Sequence, residues 1–235
     1  MKNFSIVIPF YNEDLNIDFV INEIIDKLKI KNYNFFFEII AVNDCSNDDT
    51  KIKLLELSKK IKNLKIVTNS KNMGQSFSIL NGVKIAQYNT IVTLDGDGQN
   101  NPKDIKMVLE KFFSNDKISL VGGIRQQRKD NIIKIISSKI ANNIRIFFLK
   151  DNCIDTGCAL KVFKKDIFLK LNHFNGIHRF LPALFMHYGD VEFVSVDHRY
   201  RLHGVSKYGT LKRMIKGILD IIKVKKMISN IKNDR

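Results

Sequence analysis

The segment Asp95–Gln99 contains two carboxylates, those of Asp95 and Asp97, with one glycine between them and another after them. In extended backbone these two side chains would face the same side of the chain. The glycines would let a diphosphate approach the backbone closely. Mg²⁺ commonly binds one or two carboxylates and takes its other ligands from phosphate and water, and Mn²⁺ accepts the same oxygen ligands. The segment therefore suggests a metal–diphosphate site, although an acidic turn is the simpler interpretation when it is considered alone.

The elements that must position this segment alternate regularly along the first 125 residues. Short runs rich in Val, Ile and Phe are typical of strands buried on both faces of a parallel sheet. The predicted strands are Ser5–Pro9, Phe36–Asn43, Leu64–Thr68, Thr90–Asp95 and Ser119–Gly123. Amphipathic stretches between them predict helices over Ile17–Leu28, Thr50–Ile61, Ser76–Gln87 and Lys103–Phe113. This alternation predicts an α/β fold with a mostly parallel central sheet flanked by helices.

Polar residues follow three of the predicted strands where each strand ends. They are the segments Pro9–Glu13, Asn43–Ser46 and Asp95–Asp97. In parallel α/β sheets ligands bind beyond the carboxyl ends of the strands, so these loops would converge on one site. The chain has neither Gly-x-Gly-x-x-Gly after the first strand nor a P-loop motif. The two commonest nucleotide cradles of this architecture are therefore absent from the sequence.

The pattern changes after Arg125. Further predicted elements are a helix over Asn131–Leu149, a strand over Thr156–Phe163, a helix around Arg179–His187, a strand over Val191–Val196, a basic loop over Arg199–Tyr208 and a long helix over Leu211–Lys232. We expect one catalytic domain over residues 1–209 and a basic amphipathic helical extension over residues 210–235.

The chain carries 39 Lys and Arg residues against 24 Asp and Glu residues, a formal net charge of +15. Such a protein attracts anions such as nucleic acid, anionic lipid or a phosphorylated ligand, although general enrichment in Lys, Ile and Asn is the alternative explanation. No apolar run reaches about 18 residues, so no transmembrane helix is expected. The first residues lead directly into a predicted strand, so no signal peptide is expected. The three cysteines form no Cys-x-x-Cys pair, which favours reduced thiols in a cytosolic chain and disfavours a structural zinc site.

Several segments, taken in order, resemble the successive motifs of the inverting family 2 glycosyltransferases, which have the GT-A fold. In the first hundred residues these are Ile8–Glu13, Val42–Asp48, Asn72–Gln75 and Leu94–Gln99. The resemblance continues through Asp155–Cys158, His178–Pro182 and Arg201–Tyr208, which are similar to the dolichol-phosphate mannosyltransferase branch, the polyprenol-phosphate glycosyltransferases. It spans nearly the whole chain with sensible spacing, and this combination is far more specific than any single motif.

The resemblance implies a role for each matching residue. The nucleoside would be held by Pro9, Tyr11, Glu13, Val42 and Asp44, and the sugar-diphosphate would be lined by Asp95 and Gly96. Asp97 and Gln99 would bind the Mg²⁺ or Mn²⁺ ion. Arg201 and Lys207 would close over the diphosphate and act in catalysis with Asp97.

The acceptor that the resemblance implies is a polyprenyl phosphate. Arg125 would meet phosphate of the donor or the acceptor, and Lys134 and Ser138 would meet the acceptor phosphate. The chain departs from the family at two positions, because Cys45 stands in place of the usual Gly and Lys134 in place of an Arg. The second departure matters because a lysine is a point charge and lacks the two-pronged geometry of a guanidinium.

The residues also bear on the acceptor without the resemblance. The chain has no tryptophan, so it lacks the Gln-x-x-Arg-Trp motif that many family 2 polymerases carry. A lipid phosphate is already an anion, so catalysis can depend on positioning and charge rather than on a general base. Asp155 is the fallback candidate for a base, and a structural role explains it equally well. The basic amphipathic pattern of Leu211–Lys232 is typical of a helix on an anionic membrane surface, and also of a helix packed on the sheet.

Two other functions account for part of the sequence. A family 2 enzyme that acts on a glycan or lipid hydroxyl would keep the donor site, but the basic loop Arg199–Lys207 argues against a neutral acceptor. A non-enzymatic anion-binding module would use the net charge, but it has no use for acidic residues converging on one edge. We therefore expect a nucleotide-diphospho-sugar donor, no nucleic-acid partner and a cytoplasmic location, peripherally on the inner face of the cell membrane.

Overall fold

The computed structural model describes residues 2–28, 36–126, 142–201 and 210–233, and the side chains of residues 210–216 and 218 lie outside that description. The strands are β1 (Phe4–Phe10), β2 (Phe37–Asn43), β3 (Leu64–Thr68), β4 (Thr90–Thr93), β5 (Ile118–Arg125), β6 (Lys161–Lys164) and β7 (Asp190–Val196). The helices are α1 (Ile17–Leu28), α2 (Thr50–Lys60), α3 (Gln75–Ile85), α4 (Asp104–Phe112), α5 (described over 142–149), α6 (Lys165–Lys170), α7 (Leu181–Phe185) and α8 (Thr210–Asn233), with a 3₁₀ turn at Ile177–Arg179.

The seven strands form one sheet in the order β3-β2-β1-β4-β6-β5-β7. Pairing is parallel between β1 and β2, β1 and β4, β2 and β3, and β5 and β7. Only β6 runs against its neighbours β4 and β5 among the described strands. The mostly parallel sheet flanked by helices is therefore confirmed, and one reversed strand lies between β4 and β5.

The strand sequences are apolar because the sheet is covered on both faces. In β1, Ile6 and Ile8 contribute to the core shared with α1, α2 and α4, while Val7 contributes to the core shared with α3, α6 and α7. Successive side chains of a strand point to opposite faces, so a strand between two helical layers needs apolar residues at every position. This arrangement fixes the register of the central strands and therefore the positions of the loops at their carboxyl ends.

Most predicted boundaries before Arg125 are confirmed to within one or two residues, and Leu64–Thr68 and Ile17–Leu28 match completely. The strand predicted over Thr156–Phe163 is wrong at its start, because the strand is β6 and the preceding residues form a loop. In the first part of that loop, Arg145 donates to the Cys153 carbonyl and forms an ion pair with Asp151. Helix α6, which follows β6 directly, was not predicted.

Strand β4 ends at Thr93, two residues before the predicted end. The expectation that Asp95 and Asp97 lie on extended backbone is therefore wrong. They belong to a turn in which the Asp95 amide donates to the Asn100 side chain at 3.0 Å, and Gly98 has a φ of 74°. The turn still brings both carboxylates to the end of β4, because its hydrogen bonds close it back on itself.

Helix α8 packs on the domain along its described C-terminal part. Ile221 and Val224 are buried in the same core as α7, and Asp220 is buried beside them. The division of the chain at residues 209 and 210 stays a prediction, although these residues of the expected extension contribute to the domain's own core. Within the described residues, no helix has the length and apolar character needed to cross a bilayer.

Two helical glycines give opposite predictions for substitution by alanine. A Cβ at Gly82 in α3 would lie 2.5 Å from Val7 Cγ1 and 3.0 Å from Val42 Cγ2, so Gly82→Ala would overpack the α3–sheet contact. We expect it to lower the free energy of unfolding by about 1–3 kcal/mol in urea denaturation. At Gly217 in α8 no described atom lies within 4 Å of such a Cβ. Gly217→Ala should raise the free energy of unfolding by about 0.5–1 kcal/mol. Equal stability of the two variants would contradict this packing.

Candidate active site

The loops after β1 and β2 are joined at the carboxyl edge of the sheet. The Asn12 amide donates to the Ser46 hydroxyl at 3.0 Å, and the Glu13 amide donates to the Thr50 hydroxyl at 3.0 Å. The Asp44 amide donates to the Phe10 carbonyl at 2.8 Å. These bonds satisfy backbone groups that would otherwise be orphaned beyond the strand ends. The predicted convergence of the first two loops is therefore seen directly.

The turn after β4 packs on the end of β1. A Cβ at Gly96 would lie 2.5 Å from the Phe10 ring and 2.9 Å from the Pro9 carbonyl oxygen, so only glycine allows this approach. The Asp97 carboxylate accepts from the Gln99 amide at 3.1 Å, which closes the turn. The backbone of Pro9 thus lies against Gly96, one of the two residues predicted to line the sugar-diphosphate.

Asp95 is the electrostatically strained carboxylate of the site. Burial, reinforced by the neighbouring Asp97 carboxylate, raises the pKa of Asp95 to about 7. The positive charges of Lys161, Arg125 and Arg201 act in the opposite direction and offset part of this increase. Asp95 also accepts from the Gln75 side chain at 2.7 Å. Two carboxylates held this close in a region of low dielectric attract a cation.

Arg201 joins two of the predicted acidic residues. Its guanidinium lies 2.6 Å from a Glu13 carboxylate oxygen and 3.3 Å from an Asp97 carboxylate oxygen. The other Glu13 oxygen accepts from the Asn16 side chain at 2.6 Å. All three charged side chains are largely shielded from solvent. The predicted nucleoside, metal and closing residues therefore meet at one point, although they are up to 188 positions apart in sequence.

Asp44 organises the loop that begins α3. Its carboxylate accepts from the Asn69 side chain at 2.7 Å and from the Met73 and Gly74 amides at 2.8 Å each. An ionised carboxylate offers about four acceptor positions, so three of these are engaged within the protein. The next residue after Gly74 is Gln75, which donates to Asp95. Asp44 is thereby linked to the acidic turn through the start of α3.

The remaining predicted nucleoside contacts lie at different depths. Tyr11 and Pro9 are half-buried at the carboxyl end of β1. Val42 is fully buried, and its side chain approaches the position that a Cβ of Gly82 would occupy. The Val42 side chain therefore belongs to the core of the sheet, and the expected nucleoside contact could involve only its backbone. This difference arises because Val42 packs against α3, in the same core as Ile79 and Val83.

Arg125 is held by Asp155 in a two-pronged ion pair. Its Nε and one terminal nitrogen each lie 2.8 Å from separate Asp155 oxygens, and its backbone amide donates to the same carboxylate at 3.1 Å. A Cβ at Gly157 would lie 2.7 Å from the guanidinium, so this glycine leaves room for the arginine. Because both Asp155 oxygens are engaged, the structural interpretation of Asp155 is favoured over the general-base interpretation.

Sequence reasoning missed Lys161. This lysine is buried in β6, and its ammonium group donates to the Cys158 carbonyl and acts electrostatically on Asp95. It lines a crevice beside Gln75, Thr93 and His178. A lysine next to a short apolar run carries no sequence signal for burial, so only the fold shows its proximity to Asp95.

Four predicted positions remain to be placed. The Gln99 side chain donates through Nε2 to the Arg199 carbonyl at 3.2 Å, which directs the carboxamide towards the same loop as Arg201. Lys134, Ser138 and Lys207 lie outside the described residues. The acceptor-phosphate positions and half of the expected closing pair therefore stay predictions.

The residues at the turn suit a divalent cation that is completed by a phosphorylated ligand. Asp95 and Asp97 supply hard oxygen donors, and burial, together with the neighbouring Asp97 carboxylate, raises the pKa of Asp95. Among the described residues, no group of three or more His, Cys, Asp or Glu side chains forms a protein-only metal cage. Mg²⁺ and Mn²⁺ sites with one or two carboxylates commonly take their other ligands from phosphate and water.

A twisted, mostly parallel sheet with an acidic turn at the end of β4 defines the class of nucleotide-diphospho-sugar transferases with the GT-A fold. The chain belongs to glycosyl transferase family 2, whose sequence description it matches over residues 5–171. Glucosyl-3-phosphoglycerate synthase from Mycobacterium tuberculosis, solved with Mn²⁺, UDP and glucosyl-3-phosphoglycerate, superimposes with a TM-score of 0.70 and 14% identity. The match covers 94% of this chain and 80% of that structure. Mannosyl-3-phosphoglycerate synthase from Rubrobacter xylanophilus superimposes with a TM-score of 0.71 and 13% identity, over 94% of this chain and 72% of that one.

Two curated relatives are more similar in sequence. The chain is 31% identical over 227 residues to dodecaprenyl-phosphate galacturonate synthase from Rhizobium johnstonii, which covers 94% of this chain and 65% of the relative. It is 29% identical over 214 residues to undecaprenyl-phosphate 4-deoxy-4-formamido-L-arabinose transferase from Pectobacterium carotovorum subsp. carotovorum, which covers 90% of this chain and 64% of the relative. The chain thus spans slightly less than two thirds of the length of these relatives.

The role of Asp44 as an organiser of the α3 loop can be tested with an isosteric change. Asp44→Asn places an NH₂ group against one of three donors, so a buried donor loses its acceptor. We expect the free energy of unfolding to fall by about 1–3 kcal/mol in urea denaturation. Asp49→Asn is the matched control, because Asp49 is exposed and its side chain makes no cap hydrogen bond. A change at Asp44 no larger than the control would refute the organising role.

Proposed function

We propose that this chain transfers a sugar from a nucleotide-diphospho-sugar to a polyprenyl phosphate, with inversion at the anomeric carbon. The observation that carries the proposal is the meeting of Glu13, Asp97 and Arg201 beside Asp95, where the donor diphosphate and a metal would lie. Support for the acceptor comes from the two curated relatives, both named for reactions on polyprenyl phosphates.

Metal binding is assigned to Asp97 and Gln99, with Asp95 and Gly96 lining the diphosphate. Because Nε2 of Gln99 donates to the Arg199 carbonyl, Oε1 is the atom that would face a cation. Bound Mg²⁺ or Mn²⁺ would supply charge stabilisation of the leaving nucleoside diphosphate. Pro9, Tyr11, Glu13 and Asp44 would line the nucleoside, and Asp44 keeps about one acceptor position for it.

Arg201 and Lys207 would stabilise the departing diphosphate. Arg201 is shared by Glu13 and Asp97, and these contacts support its proposed place beside the diphosphate. Phosphate oxygens would replace one or both carboxylates as its partners when the donor binds, because a guanidinium binds either anion in the same two-pronged way. Charge aimed at the leaving group in this way lowers the barrier directly.

The acceptor phosphate would meet Arg125, Lys134 and Ser138. The Arg125 guanidinium is held rigid by Asp155, which fixes its position near Asp95 without the acceptor present. A phosphate oxygen attacks as an anion, so positioning supplies most of the catalysis. The alternative acceptor, a glycan or lipid hydroxyl, would need a general base. Engagement of both Asp155 oxygens by Arg125 disfavours Asp155 for that task.

The proposed location is the inner face of the cell membrane, with residues 1–209 as the catalytic unit and residues 210–235 as a basic element near the surface. A water-insoluble acceptor and a chain with a formal charge of +15 both favour association with an anionic membrane surface. This association is peripheral for the residues described, because it uses surface contact rather than a spanning helix.

Product formation tests the proposal directly. The purified chain, incubated with Mn²⁺, undecaprenyl phosphate in detergent and a panel of labelled nucleotide-sugars, should convert label from one donor into an organic-extractable lipid. Asp97→Ala should abolish both this product and Mn²⁺-dependent donor binding, because it removes the assigned metal carboxylate. Asp18→Ala is the matched control, since Asp18 is exposed in the first turn of α1.

Each outcome has a definite meaning. Failure of the wild-type chain to label lipid with any donor would contradict the transfer to polyprenyl phosphate. Label transferred to a glycan acceptor in a parallel incubation, with none transferred to the lipid, would support the hydroxyl acceptor instead. Unchanged Mn²⁺-dependent donor affinity in Asp97→Ala would refute the metal assignment, whatever the acceptor.

A further inference from the structure

Exposed apolar side chains cluster on α5 and on the loop that follows it. Phe147 is 77% exposed and Ile154 is 60% exposed, and Ile144 and Phe148 are exposed with them. The rings of Phe147 and Phe148 contact edge to face, with centroids 5.4 Å apart. Single exposed apolar residues are ordinary, whereas a contiguous group marks an interaction surface. These four residues are called the α5 patch below.

Helix α8 supplies a basic border to the α5 patch. The Lys225 ammonium lies 5.8 Å from the centre of the Phe148 ring, which brings the two helices together. Ile222, one turn before Lys225 on the same helix face, is 62% exposed, and Leu219 is exposed one turn earlier. The surface therefore combines apolar groups with a cation that lies over an aromatic ring.

The carboxylates near this surface face inward. Asp151 is buried and paired with the buried Arg145, and Asp220 is buried and paired with Arg179. Three lysines nearby are exposed instead: Lys150, Lys225 and Lys226. These two acidic groups are paired inside the fold, so the charge that the described residues of α5, α8 and the loop after α5 present to solvent around the α5 patch is positive.

The apolar face of α8 is largely used by the core. Ile221 and Val224 are buried, and Met227 and Ile228 pack partly against the same cluster. The helix therefore does not present a complete amphipathic stripe to a membrane over its described part. Any contact of this region with lipid would instead depend on the α5 patch, with α8 supplying lysines and the exposed Leu219 and Ile222.

We propose that the α5 patch and its α8 border dock on the interfacial zone of an anionic bilayer. The phenyl rings would enter the boundary between headgroups and acyl chains, and the lysines would meet lipid phosphates. Aromatic and apolar residues combined with cations are the usual composition of such interfacial surfaces, and each nearby cation adds about 1 kcal/mol of attraction. Charge complementarity thus favours lipid over a second copy of this basic chain.

The α5 patch is also connected to the candidate active site, and its relevance there rests on the proposed function. The Asn142 side chain at the described start of α5 donates to the Ile154 carbonyl at 2.8 Å and accepts from the Thr156 hydroxyl at 3.3 Å. Thr156 follows Asp155, the partner of Arg125. Docking through the patch would hold the acceptor-phosphate position close to the plane of the lipid headgroups.

Vesicle sedimentation tests the docking surface without donor or acceptor substrate. The probe is vesicles made of equal parts phosphatidylglycerol and phosphatidylcholine. Phe147→Ser should lower the partition coefficient about tenfold, because the variant removes one phenyl ring from the interface. Phe36→Ser is the matched control, because Phe36 is 61% exposed just before β2, at the amino-terminal end of the strand and away from the site, and it should bind as the wild type does. Lys225→Glu should also weaken binding, and added salt should reduce its difference from wild type.

The outcomes separate this inference from the proposed function. Equal vesicle binding by Phe147→Ser and Phe36→Ser would overturn the docking surface. A wild-type dimer in solution that Phe147→Ser converts to a monomer, with vesicle binding unchanged, would assign the patch to a second copy of the chain and also overturn it. Labelled lipid formed in detergent by a chain that does not bind vesicles would leave the transfer intact and refute only the docking. Vesicle binding that Phe147→Ser weakens, by a chain that forms no labelled lipid, would support the docking and contradict the transfer.

Discussion

The bridge that Arg201 forms between Glu13 and Asp97 is the interaction on which the site depends. A parallel sheet directs the carboxyl ends of its strands to one edge, and here the loops after β1 and β4 each bring acidic groups there. Two like charges about 4 Å apart repel by roughly 4 kcal/mol at an effective dielectric constant of about 20. A cation between them reverses the sign of this interaction. The bridge therefore allows a donor site to be rich in carboxylates before any metal or diphosphate has bound.

The other parts of the site hold this edge in place through backbone rather than charge. Asp44 fixes the Met73 and Gly74 amides, and the adjacent Gln75 donates to Asp95, so the start of α3 and the acidic turn are coupled. Cys45 has a φ of 58°, a left-handed conformation that costs a non-glycine residue about 1 kcal/mol or more. Glycine, which the family resemblance implies at this position, would adopt this conformation without that cost. The loop after β2 keeps this left-handed conformation although Cys45 disfavours it.

Much of the fold could be predicted because it depends on local patterns. Apolar runs that repeat between amphipathic helices gave β1 to β5 and α1 to α4 nearly in full, since a two-sided sheet constrains each strand separately. The predicted start of β6 was wrong because Ala159 and Leu160 have strand-like character, although in the structure their carbonyls accept from the Thr93 hydroxyl and the Gly123 amide outside any described strand. For a similar reason, the sequence did not decide whether the apolar face of α8 packs on the protein or contacts a membrane. Its periodicity is present in the sequence, but whether Ile221 and Val224 meet protein or lipid is decided by α7.

The site residues that lie in family motifs could be predicted from the sequence. The contacts that depend on pairing between residues distant in sequence could not. Asp97, Glu13 and Arg201 lie in recognisable segments, whereas the buried Lys161 and the engagement of Asp155 by Arg125 require the assembled sheet. These pairings change the chemistry that is available. The Arg125–Asp155 ion pair disfavours Asp155 as a general base, because both of its carboxylate oxygens are engaged.

Manganese binding by Arg201→Ala, followed by electron paramagnetic resonance in the absence of nucleotide, tests this account most directly. Without the guanidinium, the carboxylates of Glu13 and Asp97 lose their internal cation, and Mn²⁺ no longer competes with a positive side chain. The account predicts that the variant binds Mn²⁺ more tightly than the wild type. Lys103→Ala removes an exposed positive charge that pairs with Asp197, four residues before Arg201. This control should leave the Mn²⁺ affinity nearly unchanged. Weaker Mn²⁺ binding by Arg201→Ala than by the wild type would contradict the account.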